Sequence, residues 1–441
     1  MSKLLTLIAV LFTSVASVNA QYTAPEWSKN ATIYEVNVRQ FTPEGTFQAF
    51  EKHIPRLKKM GVDILWFMPI NPIGVKNRKG SLGSYYAVKD YKAVNPEFGN
   101  LDDFRHLVQT AHANGMKVII DWVANHTSPD NVWVDQGHKD WYTLDSTGNL
   151  QPTIGTDWWD VADLNYDNKE MRKEMISSMN YWLTAADIDG FRCDVASWVP
   201  TDFWVDARKQ LDATKKVFML AEAEEIEMHK AFDMTYGWNL HHIMNEIAQG
   251  KKDVQEVYKY VKENKHPITA YRMNFTSNHD ENSWNGTEME RMGDARFAFA
   301  VFAATFEGMP LVYNGQETSL DRRLKFFEKD TISWKKMDLV PFYTKMFQLH
   351  RSNKALWNGI YGGSVKFLSA ADEKNVLVFS RVKDENKVIV VINMTAKPQV
   401  LKLNSTTYAG KYKDLFSGKK VTVANELILN LEPWGYKVYY K

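Results

Sequence analysis

Ile188-Asp-Gly-Phe-Arg-Cys-Asp194 is a short, mostly apolar run that closes on an acid. Its length suits a strand buried on both faces, with the last carboxylate at the strand's carboxyl end. Two later runs repeat the plan: Val217-Phe-Met-Leu-Ala-Glu222 and Tyr271-Arg-Met-Asn-Phe-Thr-Ser-Asn-His-Asp280. Acids at the carboxyl ends of successive strands are how a parallel α/β barrel builds a site. Working outward, strand-like runs occur at Thr32–Val38, Val62–Met68, Lys117–Val123, Ile188–Cys193, Val217–Ala221, Ala231–Thr235, Tyr271–Phe275 and Pro310–Tyr313. Helix-like segments such as Leu101–Asn114 and Lys169–Ala186 lie between them. Gly61 and Gly115 stand where a helix must stop before the next strand. Eight such alternations predict an α/β chain built on a (β/α)8 TIM barrel. The rival, an open doubly wound sheet, lacks its Gly-rich phosphate loop here.

One connection breaks the rhythm. Residues 125–166 are rich in Trp, Asp, Gly and Asn and too long for an ordinary loop, so they predict a small inserted domain walling one side of a cleft. After about Gly359 short strands with turn residues take over: Asn375–Val382, Lys387–Met394, Gln399–Leu403, Lys419–Val423 and Trp434–Tyr440. They predict a C-terminal antiparallel β-sandwich over 359–441, read as a structural cap. The barrel is then 21–124 plus 167–358. Residues 1–20 read as an export signal, with Lys3, an apolar run from Leu4 to Val15, and a small-residue cleavage site at Val18-Asn19-Ala20. That run is short for a membrane span, no later segment is long and apolar enough to span, and the expected location is periplasmic or secreted.

The chain has 441 residues, too many for one core. Its net charge of +1 provides no field to recruit nucleic acid or an anionic membrane. The lone Cys193 excludes an intrachain disulfide and reads as a small buried hydrophobe rather than a nucleophile. There are 15 Trp, a residue that stacks on sugar faces but also fills cores.

Seven stretches, in order, resemble the α-amylase family, glycoside hydrolase family thirteen. Four are its main signatures: Asp121-Trp-Val-Ala-Asn-His126, Gly190-Phe-Arg-Cys-Asp194, the strand closing on Glu222, and Phe275-Thr-Ser-Asn-His-Asp280. Three are accessory: Ser84-Tyr-Tyr-Ala-Val-Lys-Asp90, Val161-Ala-Asp-Leu-Asn165 and Gly308-Met-Pro-Leu-Val-Tyr-Asn-Gly-Gln-Glu317.

The resemblance implies a retaining hydrolase of α-1,4-linked glucose polymers or maltooligosaccharides. Asp194 is then the nucleophile, Glu222 the acid/base and Asp280 the third acid. Arg192, two residues before Asp194, shares its strand face and is expected to keep it ionised, while burial is expected to keep Glu222 protonated. His126 and His279 bind sugar hydroxyls, and Tyr86 stacks under the ring. Asp90 positions Arg192, closes a barrel-mouth network or is purely structural, and Asp121 supports the site. Trp133, Trp141, Trp158, Trp159 and Trp284 are expected in rim loops.

The chemistry needs no cofactor. The resemblance implies a structural calcium held by Asn125 and Asp163, oxygen ligands of the kind calcium takes. Classical members carry Lys-His shortly after the nucleophile, where this chain has Ser197-Trp198. That departure points toward shorter or modified α-glucans. Rival readings are a transglycosylase or a cyclodextrin- or pullulan-degrading enzyme on the same scaffold. More distant is a non-catalytic glycan-binding protein, which would be expected to have lost one of the acids.

Overall fold

A computed structural model describes residues 22–368, 374–404, 408–423 and 426–441; the export segment read at 1–20 lies outside them. Eight parallel strands close into a barrel: β1 (Ile33–Val36), β2 (Ile64–Phe67), β3 (Lys117–Trp122), β4 (Gly190–Cys193), β5 (Phe218–Ala221), β6 (Met234–Tyr236), β7 (Tyr271–Asn274) and β8 (Met309–Tyr313). Each pairs with its sequence neighbour, and β1 meets β8 in the register Ile33↔Leu311. The eight strands fall where the sequence put them, although β6 slips toward its carboxyl end. Ala231 finishes a 3₁₀ turn, and Asp233 takes an Arg208 fork and the Met219 N–H, so pairing starts only at Met234.

Helices start and stop on local signals. The helix Leu101–Ala113 opens on a capping box between Asn100 and Asp103, and Lys169–Ala185 opens on Asn168. Gly190 is obligatory where β4 begins: at φ +155° an added Cβ would lie 1.9 Å from the Phe218 carbonyl oxygen.

Strand parity sorts the barrel's contents. Ile33, Ile64, Ile119, Phe218, Leu220, Met234 and Met273 fill its interior. Two residues further along several of these strands, the inward position becomes polar: Glu35 after Ile33, Asp121 after Ile119, Glu222 after Leu220. Trp66 and Tyr236 lie between the two layers. A second apolar shell, including Leu65, Val118, Phe191 and Met219, packs against the helices.

The insertion is tied together by a two-residue pair, His126–Thr127 against Ala162–Asp163. The C-terminal domain has a six-stranded antiparallel sheet and a two-stranded one formed by Gln399–Asn404 and Glu426–Leu431. Val378, Ile389 and Val391 of the first pack on Leu401 and Leu431 of the second, giving a sandwich. Buried Arg381 fastens it to the barrel by donating to the Thr305, Phe306, Trp357 and Gly363 carbonyls. Among the described residues, no helix is long and apolar enough to cross a membrane.

Candidate active site

Arg192 is the hub of the polar layer. It is fully buried on β4, and its Nε donates to the Tyr236 hydroxyl at 3.1 Å. Its Nη1 donates to Asp121 Oδ1 at 2.8 Å and to Asp194 Oδ1 at 2.9 Å. Nη2 lies 2.9 Å from Glu222 Oε2, off the line of its N–H bond, so that contact is an ion pair rather than a directed hydrogen bond. The Trp66 ring packs 5.1 Å from the guanidinium carbon. One guanidinium thus touches both acids that the sequence assigns to bond cleavage.

The backbone fixes those acids. The strand ladder extends past the strands, since Asp194 N–H donates to Trp122 O and Glu222 N–H to Cys193 O. Glu222 Oε2 also accepts from Val195 N–H at 2.8 Å. Val195 makes that contact from φ 35°, ψ 47°, a left-handed conformation that β-branched residues avoid. Holding it there costs about 1–3 kcal/mol, strain of the kind that gathers at functional sites.

Burial dominates the electrostatics. It pushes Asp194 up to about 6 against the pull of Arg192, with the neighbouring Asp121 charge adding to the rise. Asp121, buried beside the same guanidinium, also rises to about 6. Arg192 does favour the ionised form of Asp194, as the sequence suggests, but burial and the Asp121 charge outweigh it, and the carboxyl is raised rather than held down. Glu222 is raised by burial and by Asp194 in opposition to Arg192, in the direction an acid catalyst requires. Asp280 is raised by burial against the pull of His279, although one third of its side chain opens to the cavity.

That cavity has a volume of about 480 Å³ and is lined by all three acids with Tyr86, His126 and His279. The Tyr86 hydroxyl donates to Asp121 Oδ2 at 3.1 Å and meets His279 Nε2 at 2.8 Å. Burial pushes His126 down to about 3, so its ring is neutral. Every residue predicted for catalysis or sugar contact therefore lies in this cavity or, as with Arg192, immediately behind it.

Several expectations are corrected. Of the roles open to Asp90, the structural one holds: its carboxylate accepts from Lys92 N–H in a local turn, and Asp121, not Asp90, positions the guanidinium. Trp133 and Trp141, 4% and 7% exposed, belong to the core rather than the rim. Trp158 and Trp284 do line the cavity, whereas Trp159 points outward. Phe326, Phe327 and Lys79 also line it and carried no motif. Trp198 is 51% exposed and stacks on Trp158 with centroids 5.5 Å apart and planes 21° apart. Glu35 was missed altogether; the only signal was an acid at an inward position of an apolar strand, bonded here to His279.

Among the described residues, no group of three or more His, Cys, Asp or Glu gathers to hold a metal. Asn125 Nδ2 donates to Thr153 Oγ1 at 3.0 Å, and half-buried Asp163 lies beside Thr143 and Thr153. One carboxylate, one amide and a threonine hydroxyl are donors of hard-cation type.

A model of the alpha amylase catalytic domain matches residues 23–341, and one of the maltogenic amylase C-terminal domain matches 365–438. The solved α-amylase of Lactobacillus plantarum superimposes with a TM-score of 0.84 at 30% identity, over 94% of this chain and 99% of that one. A maltogenic α-amylase of Thermotoga neapolitana, AmyB, gives 0.85 at 29%, with the same coverage. The α-amylase MalA of Haloarcula japonica is 26% identical over 92% of this chain, which spans 61% of that relative's length. With the catalytic-domain match running from ahead of β1 to beyond β8, the chain belongs to the α-amylase family of glycoside hydrolases.

Proposed function

We propose that this protein cleaves α-1,4-glucosidic bonds in starch-derived glucans or maltooligosaccharides with retention of configuration. The observation that carries the reading is Arg192 touching both Asp194 and Glu222. Two carboxylates on one guanidinium lie side by side at the end of the cavity, where a nucleophile and an acid can flank one glycosidic bond.

In the first step Asp194 attacks the anomeric carbon, and Glu222 gives its proton to the departing glycosidic oxygen. The Val195 N–H and Arg192 Nη2 then face the carboxylate left on Glu222 and stabilise it. In the second step that carboxylate takes a proton from water, whose oxygen attacks the anomeric carbon and releases Asp194. Asp280 and His279 hold hydroxyls of the sugar being cleaved, and Tyr86 lies under its ring.

Short or cyclic substrates are favoured by the Trp158–Trp198 stack, which offers a sugar a flat apolar face where classical members carry Lys-His. The likeness to maltogenic relatives supports the same preference. That surface also suits an acceptor sugar, so transfer to a glucan is the second reading. Longer products from maltotriose would mark transfer; glucose and maltose alone mark hydrolysis.

Calcium at Asn125 and Asp163 is proposed as a stabiliser only and takes no part in the two steps. Export is proposed from the Lys3, Leu4–Val15 and Val18-Asn19-Ala20 pattern; a mature chain starting at Gln21 is the expected product. The central test is Glu222→Gln, which should nearly abolish turnover of maltooligosaccharides while the variant still binds them. Unchanged turnover would sink the assignment.

A further inference from the structure

Among the described residues, Glu35 is the one buried acid of the barrel's polar layer that no motif and no catalytic role accounts for. It stands on β1, fully buried, with Oε1 2.5 Å from His279 Nδ1 and Oε2 without a hydrogen-bond partner. On the other side of the same ring, Nε2 lies 3.2 Å from Asp280 Oδ2 and 2.8 Å from the Tyr86 hydroxyl. The Tyr86 hydroxyl can donate to Asp121 Oδ2, 3.1 Å away, which leaves its oxygen a lone pair to offer His279.

A neutral imidazole has one donor nitrogen and one acceptor nitrogen. Here both nitrogens face acceptors, and on both sides a carboxylate is among them. A neutral ring would leave one of those carboxylates facing a nitrogen lone pair. The doubly protonated ring is the form that two flanking carboxylates, Glu35 and Asp280, favour.

We propose that Glu35 is a positioning residue that holds His279 as an imidazolium, paired in charge with Asp280 and with its Nε2–H turned to the Tyr86 hydroxyl and the sugar side of the cavity. The inference rests on the hydrolase reading only for its effect on turnover. His279 also faces Asp121 of β3 and Glu222 of β5, whose charges favour the imidazolium, and Arg192 of β4, which opposes it. Burial opposes the charge too, yet Asp280 and Glu35 lift His279 to about 9. The polar layer thereby holds a second cation beside Arg192 among its crowded acids. A fixed N–H donor carrying charge binds a hydroxyl about twice as strongly as a neutral one.

The test is nitrogen NMR of the full chain labelled at histidine, with His279→Gln identifying the signal. His279 is expected to carry protons on both nitrogens at pH 8. In Glu35→Gln, which keeps shape and an acceptor for Nδ1–H but removes the charge, its titration should fall by about one to three pH units. A singly protonated His279 at pH 7 in the parent, or a titration unmoved by Glu35→Gln, would overturn the proposal. This readout needs no turnover, so it stands apart from the fate of the hydrolase reading. The kinetic arm is a double-mutant cycle. Glu35→Gln should cut kcat/KM about tenfold in the parent, the worth of one charge-assisted hydrogen bond, and leave a His279→Gln background unchanged. Equal losses in both backgrounds would mean that Glu35 acts by some other route.

Discussion

Asp194→Asn should make the protein more stable while destroying its activity. Burial lifts the Asp194 carboxyl from the ordinary 3.8 to about 6. A shift of about two units at about 1.4 kcal/mol per unit amounts to about 3 kcal/mol. This is an upper bound, because Asp121 and Asp194 compete for the same Nη1 of Arg192 and titrate together. The sign follows from linkage. An acid raised in the folded state contributes stability that is present below its unfolded value and lost as pH rises through about 6. Asparagine has the same shape, keeps an acceptor for Arg192 and cannot ionise. The variant should therefore match the parent near pH 4, gain on it between pH 4 and 6, and stay ahead above pH 6 by up to about 3 kcal/mol, or several degrees in Tm. Thermal unfolding followed by circular dichroism from pH 4 to 8 measures this. A variant less stable than the parent at pH 7.5, or a gain equal at pH 4 and 7.5, would refute the reasoning. Turnover should fall by about 10³-fold or more, as when other covalent nucleophiles are removed.

The two classes of tryptophan separate cleanly by experiment. Trp133→Ala should lower stability by about 3–5 kcal/mol, because a buried ring leaves a cavity, whereas Trp284→Ala on the exposed rim should barely move Tm. Trp198→Ala should raise KM for maltooligosaccharides by about five- to tenfold, the loss of about 1–1.5 kcal/mol of stacking, with Tm unchanged; equal KM values would remove Trp198 from the substrate's path. If calcium sits at Asn125 and Asp163, chelation by EDTA should lower Tm in the parent and not in Asp163→Asn, while kcat at a temperature well below Tm stays constant in both.

The barrel was legible because its signals are local: an apolar run, an acid, then a helix start. Asp194 and Glu222 declared themselves because each closes such a run, whereas Asp280 lies six residues beyond the end of β7, at the start of the helical turn Glu281–Asn285, and was found by its motif. Glu35 did not declare itself, since one acid inside Thr32–Val38 has no recurring neighbour, and only the parity set by Ile33 turns it inward to His279. Tryptophans resist the same reading: Trp133 and Trp158 lie in one insertion, and tertiary packing alone sends the first to the core and the second to the cavity. The slip of β6 was hidden because Ala231-Phe232-Asp233 is as apolar as a strand; the side-chain fork of Arg208 onto Asp233 decides otherwise. The net rise of Asp194 escaped because sequence shows Arg192 beside it but not the depth of burial or Asp121 on the same nitrogen.

Retention through Asp194 is the central claim, and the anomer first released from maltotriose tests it most directly. Proton NMR during the opening minutes, before mutarotation, should show the α-anomer at the newly formed reducing end. Initial release of the β-anomer would contradict double displacement and with it the roles given to Asp194 and Glu222.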